Sequence, residues 1–286
     1  MGNPVELRTS PSIDLLYHGL AHLPLDNDAS LYSEAYLARS GGDEHLRARL
    51  APLADWYAAH FDRLASVGFL PFLVPDWAAT RALLLNHPGY TEEDRARFLR
   101  PLLAALDEAA PRYLRWRQTE LDRCAAGMAL LRARLADCPV LAAMVCLTGK
   151  PAVAYLSCSL PRNGRGVLMR DAICAMAPAP ATPGEAADAH RQLLHEYTHA
   201  WTDGLLDGPI AMDDGTHDLS EGLVLLADDW LYRLCHPAEL AAYRAWAGRM
   251  LEADGPVTGA DIAGMTGLGE DWQLRIETLV RGMAAG

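Results

Sequence analysis

Apolar and polar positions alternate along the chain in two textures. From about Ile13 to about Ala136, apolar residues recur three and four positions apart in long runs rich in Ala, Leu, Arg and Glu, the period of helices that bury one face. The segments LRARLAPLADWYAAHFDRLA and TEEDRARFLRPLLAALDEAA carry this pattern, and Thr91 followed by acidic residues marks a helix start in the second. Pro71, Pro75, Pro88 and Pro111 predict breaks between the helices.

Around Cys138 the pattern changes. The stretch PVLAAMVCLTGKPAVAYLSCSLPRNGRGVLMRDAICAMAPA is richer in Val and Ile and is punctuated by Gly and Pro, which predicts a small sheet of about three strands. Asn163 and Gly164, between two apolar runs, read as a hairpin turn. The loop PAPATPGEA then leads into a helix through AADAHRQLLHEYTHAWTDGLL, ending near Gly204 or Gly208. A further helix is expected from about Ser220 to Cys235, stopped by Pro237, with helical segments to the end of the chain. The expected class is α+β and mainly helical, with a helical N-terminal region over residues 1–136 and a sheet-bearing domain over 137–286.

Composition bounds the function classes. Of 286 residues, 51% are hydrophobic and 22% charged, ordinary for a soluble protein with a sizeable core. No run approaches the roughly 20 apolar residues of a membrane span, so no membrane partner is expected. The net charge of -12, from 25 Lys and Arg against 37 Asp and Glu, argues against a nucleic acid partner. The N-terminal stretch has no export pattern and the six cysteines no CxxC pair, which together predict a cytoplasmic protein.

Candidate chemistry sits in the segment HEYTH. His195 and His199 are four residues apart on a predicted helix, so both rings can address one cation. Glu196 lies one step round, where a carboxylate can take a proton from water activated by a zinc ion without occupying the metal. Catalytic zinc usually has three protein ligands, and the candidates for the third are Glu221, at the expected start of the second helix, with His217 and Asp218 as competitors. A carboxylate in a first helical turn is also explained by capping and the helix dipole.

HEYTHAWTD is similar to the HELTHAVTD segment of thermolysin-like metallopeptidases, and the later SEGL resembles the glutamate helix of the wider gluzincin group. The resemblance covers residues 190–231 or so and implies His195, His199 and Glu221 as zinc ligands and Glu196 as catalytic base, in a zincin-like metal domain. Asp203 matches the family's acidic residue one turn beyond the second histidine. The chain departs from the thermolysin pattern at Ser220 and Leu225, where that family has Asn and Asp, leaving Asp228 as an alternative support for one histidine.

Hydrolysis also needs a donor to the developing oxyanion, for which His217, Tyr232 and His236 are candidates, His217 first. In zincins generally the strand before the motif helix offers a free edge to an extended peptide, a place held here by the strand expected from about Gly166 to Ala175. The expected function is therefore a zinc metallopeptidase acting on peptides or proteins. Two alternatives stand beside it: an iron-dependent peptide-modifying oxidase, since two histidines and a carboxylate also bind non-haem iron, and a non-catalytic metal-containing binding protein. His18 and His22, four apart in YHGLAHL, read as helix packing or surface residues rather than a second metal pair, and Trp56, Trp77, Trp116 and Trp230 as core.

Overall fold

The computed structural model describes residues 5–25, 34–40, 43–160, 164–169, 171–206 and 214–284; the side chains of 34, 35, 147, 168, 214–217, 283 and 284 lie outside the description. β1 (Val5–Arg8) leads into α1 (Pro11–Ala21), and short helices follow: α2 (Glu34–Arg39), α3 (Glu44–Leu50), α4 (Ala54–Ala59), α5 (Phe61–Leu64) and α6 (Trp77–Asn86). α7 (Glu92–Asp94) passes through a π-helical turn, Arg95–Leu99, into the 37-residue α8 (Arg100–Ala136), then α9 (Pro139–Thr148). After β2 (Ala152–Ser157), β3 (Arg165–Leu168) and β4 (Ile173–Pro178) come α10 (Pro183–Thr202), α11 (Asp214–Cys235), α12 (Leu240–Met250), α13 (Gly259–Met265) and α14 (Glu270–Ala284). The chain is mainly helical with one small mixed sheet, as the residue pattern implies. Among the described residues, no helix is long and apolar enough to cross a membrane.

Pro111 does not break its helix but lies inside α8. A mid-helix proline forfeits one backbone hydrogen bond and costs about 3 kcal/mol. Burial along α8, from Leu102 and Leu106 before the proline to Tyr113, Leu131 and Leu135 after it, offsets that cost.

The sheet has four strands in the order β1-β2-β4-β3, the fourth being β1 from near the N-terminus. β1, β2 and β4 are parallel, and β3 runs antiparallel along the outer edge of β4. The expected hairpin at Asn163 and Gly164 is therefore not the pairing turn: β2 and β3 are separated by β4, Asn163 lies outside the described residues, and the reversal comes after Leu168, where Met169 N–H donates to Ala172. The single strand expected from Gly166 to Ala175 is likewise two strands, β3 and β4. A two-residue turn signal is local, whereas strand order follows from which strands can be buried. β2 and β4 are covered on both faces. Ala152, Ala154 and Leu156 join the core beneath, with α8 to α11, while Val153 faces Ile13, Tyr17 and Phe72 on the opposite side, as the period of two requires.

α10 starts from a capping box, with the Thr182 hydroxyl accepting from Glu185 N–H, the Glu185 carboxylate accepting from Thr182 N–H, and Pro183 in the first turn. Its apolar face, including Ala186, Ala189, Leu193, Leu194 and Tyr197, is buried in the main core and turns the HEYTH residues the other way. α11 begins at Asp214, earlier than the expected start near Ser220.

Candidate metal centre

α10 and α11 cross so that His195, His199 and Glu221 each bring one ligand atom within 4.8 Å of the others, close enough to share a metal ion. His195 Nε2 is 3.1 Å from Glu221 Oε2, and His199 Nε2 is 3.4 Å from Glu221 Oε1. Because α11 starts at Asp214, Glu221 sits two turns inside the helix, so capping does not account for it. Asp218 lines the same cleft, outside the cluster.

The far nitrogens of both rings are backed by carboxylates. Asp228 Oδ2 lies 3.5 Å from His195 Nδ1, and its other oxygen accepts from the Thr198 hydroxyl at 2.6 Å. His199 Nδ1 faces Asp203 Oδ1 at 3.2 Å, and the Ser220 hydroxyl donates to that same oxygen at 2.8 Å. Support thus comes from Asp228 two turns beyond Glu221, and Ser220 stands beside His199 where the thermolysin pattern has Asn. Burial opposes charge on His195, but the carboxylates of Asp228 and Glu221 outweigh it and hold the ring up to about 9. On His199 burial is likewise overcome by Asp203 and Glu221, and the two imidazoles in turn hold the half-buried Glu221 well below the usual carboxylate range. Two imidazoles and one carboxylate turned to a common point, each ring oriented from behind, form a donor set suited to a divalent cation of the zinc or iron class.

Glu196 faces the same space. Gln192, one turn earlier on α10, donates to Glu196 Oε1 at 2.7 Å and fixes the carboxylate. Gln192 did not stand out in the sequence, although its i, i+4 spacing to Glu196 was there to be read. The edge strand comes close: a Cβ on Gly164 would lie 2.5 Å from Glu196 Cγ, and one on Gly166 2.5 Å from the Glu196 carbonyl oxygen. Only glycine lets β3 approach the motif helix this closely. Trp246 of α12 stands on another side, its ring 5.7 Å from that of His195.

The remaining sequence candidates are placed apart. Tyr232 is buried in the core, stacked on Tyr243 at 4.6 Å, and His236 precedes a 3-10 turn; neither lines the cleft over the cluster. His217 belongs to α11 one turn before Glu221, and its side chain lies outside the described residues. His18 and His22 are buried and committed to protein partners: His18 Nδ1 to the Tyr36 hydroxyl, His22 Nδ1 to the His18 carbonyl, and His22 Nε2 accepting from Asp43 N–H. Trp56, Trp77 and Trp116 pack at the margin of the helical core with their indole N–H groups hydrogen-bonded, and Trp230 packs against the main core.

A cleft of about 1420 Å³ runs over the cluster, walled on one side by α1, α4 and α5 and on the other by α10 to α12. Compared with protein-family models, with curated proteins and with solved structures, the chain matches none of them.

Proposed function

We propose that the protein is a zinc-dependent peptidase of the zincin type, with His195, His199 and Glu221 holding the metal and Glu196 acting as general base. The observation that carries this reading is the position of Glu196: it adjoins the three-residue cluster, is held by Gln192, and faces the cleft beside the edge strand. Zinc in such a site supplies Lewis acidity and lowers the pKa of a water it binds towards about 7.

The chain's own residues would divide the remaining work. Asp228 and Asp203 orient the imidazoles so that Nε2 of each addresses the metal. Glu196 takes the proton from the attacking water and passes it to the leaving amine. The outer edge of β3 offers unpaired backbone groups to an extended substrate, a mode that reads the peptide backbone. An oxidase built on the same ligands assigns no task to Glu196, and a purely structural metal would not call for an open cleft.

Zinc content and peptide cleavage measured on Glu196→Gln and Glu221→Ala test the proposal. Glu196→Gln is expected to retain zinc and to lose turnover by about 10² to 10⁴, the usual worth of a general base. Glu221→Ala is expected to lose zinc and to recover part of its activity in excess metal. An active, zinc-replete Glu196→Gln would overturn the mechanism, and a zinc-replete Glu221→Ala would move the third ligand elsewhere.

A further inference from the structure

The cleft changes character across the cluster. Towards β3 the groups beside it are polar, the Glu196 carboxylate and the Gln192 amide that holds it. Towards α12 and α13 they are apolar. Trp246 stands edge-on to His195 with ring centroids 5.7 Å apart, and Met250 follows it one turn later on the same helix face. On α11, Leu225 lies one turn beyond Glu221 and so shares the face that carries the third candidate ligand. Met265, the last residue of α13, extends this wall, and all four side chains line the cleft.

Contacts between the three helices fix the wall. The Tyr243 hydroxyl of α12 donates to the Leu225 carbonyl at 2.7 Å and ties α12 to α11. Gly222, the residue after Glu221, lets the end of α13 rest on α11: a Cβ there would lie 2.6 Å from Thr266 Cβ. The turn after α12 folds back on its own helix, with Ala253 N–H donating to the Gly248 carbonyl at 2.8 Å and Val257 N–H to the Arg244 carbonyl at 3.1 Å. Met265 is nevertheless 51% exposed, and Met250 is only half-buried. A lone exposed methionine is ordinary surface, but these two continue a buried Trp and Leu inside a cleft, beside the candidate ligands. Apolar surface left open in such a place is stabilised by an apolar occupant.

We propose that Leu225, Trp246, Met250 and Met265 form a pocket for a large apolar side chain of the substrate, carried by a residue that flanks the scissile bond. The inference rests on the hydrolase reading above and deepens it by naming the side chains the enzyme selects. The occupant is a substrate side chain because the wall is continuous with the cluster: Trp246 adjoins one candidate ligand, and Leu225 and Thr266 bracket the backbone of another. A group seated there belongs to a residue next to a carbonyl at the metal. Both thioether chains are flexible, so the pocket adapts to Leu, Met or Phe rather than to one shape. α12 and α13 lie beyond residues 190–231, the stretch that carries the family resemblance, so the selection belongs to elements particular to this chain.

The test uses the zinc-loaded full chain and a peptide library of varied sequence, with the residues on both sides of every cut read by mass spectrometry and kcat/KM measured on peptides that differ only there. One of the two flanking positions is expected to favour Leu, Met and Phe over Gly, Asp and Lys by about 10- to 100-fold, the worth of burying such a side chain. Met265→Lys, a change at an exposed position, is expected to keep the wild-type Tm, to lower kcat/KM on the Leu, Met and Phe peptides by at least about 10-fold, and to turn the preference towards Asp and Glu. Met250→Lys is expected to lower the same values. No preference at either flank, or a preference unchanged in both variants, overturns the inference and leaves the hydrolase reading standing. A preference for Lys or Arg assigns the wall to Glu252, the exposed acid two residues beyond Met250, and overturns the apolar pocket. Should no peptide be cleaved, the hydrolase reading falls, and calorimetric titration of the zinc-loaded chain with the hydroxamates of Leu, Phe, Gly and Glu, whose chelating head seats the side chain beside the metal, decides the pocket. Leu and Phe forms binding at least about 10-fold more tightly than Gly and Glu forms, with the difference lost in Met265→Lys, support it, and equal or absent binding overturns it.

Discussion

At the scale of single residues, the proposed metal site has supporting groups outside its three candidate ligands. Asp228 and Asp203 each stand behind one imidazole, and such partners usually tune metal affinity by about 10- to 100-fold. Asp228→Asn, which retains a carbonyl oxygen for the Thr198 hydroxyl, is therefore expected to weaken zinc binding by that factor in a chelator competition; affinity equal to wild type would show that the carboxylate does not act through His195. Gln192 acts on the other partner. Gln192→Leu releases the Glu196 carboxylate and is expected to lower kcat by about 10- to 100-fold with zinc content unchanged, because small misplacements of a reacting group are costly. Unaltered kcat would show that Glu196 holds its place without this bond.

At the scale of elements, the contact between β3 and α10 relates the cleft edge to the motif. A methyl group at Gly166 would meet backbone, the Glu196 carbonyl oxygen, which cannot swing aside as a side chain can. Gly166→Ala is expected to cost about 1 to 3 kcal/mol in urea unfolding and to depress peptide turnover while the three ligands keep their zinc. A variant with wild-type stability and turnover would mean that β3 shifts freely. The start of α10 is a milder lever: Thr182→Ala removes the hydroxyl half of the capping box and should cost about 1 kcal/mol. α10 begins at Pro183, inside the expected loop PAPATPGEA, because the Thr182–Glu185 capping box starts the helix before its apolar run. Two other helices misled: Pro111 was expected to end a helix that tertiary burial carries through, and α11 begins before the apolar run that predicted its start.

At the scale of the molecule, the helical wall of the cleft is braced by a buried carboxylate. Asp94 accepts from the Arg63 guanidinium at 2.7 and 2.8 Å, from Trp56 Nε1 at 3.2 Å, and from the backbone and hydroxyl of Thr91. Arg63 above all, with the Thr91 and Trp56 donors, holds Asp94 well below the usual carboxylate range against the effect of burial. Its folded pKa lies below the unfolded value of about 3.9, so the stabilisation is fully present above roughly pH 4 and is lost as pH falls towards the folded value. Asp94→Asn should accordingly lower the Tm clearly at pH 7, and the gap to wild type should narrow as pH is taken towards 3. A gap that is constant with pH would show that shape rather than charge matters there.

What the sequence by itself determined is what short-range geometry controls. The i, i+4 spacing of His195 and His199 and the step to Glu196 are properties of one helix, and a helix has one period. The mainly helical class follows from the same periodicity. Packing between distant segments decided the rest: that α11 crosses α10 so that Glu221, rather than Asp218, enters the cluster, and that Asp228 backs His195. It also decided that β1 joins the sheet and that β4 separates β2 from β3. Gly166 of β3 and Glu196 of α10 come from separate elements, and no local pattern marks their contact. Their meeting depends on which apolar faces find each other, a choice made by burial over the whole chain rather than by any one stretch of it.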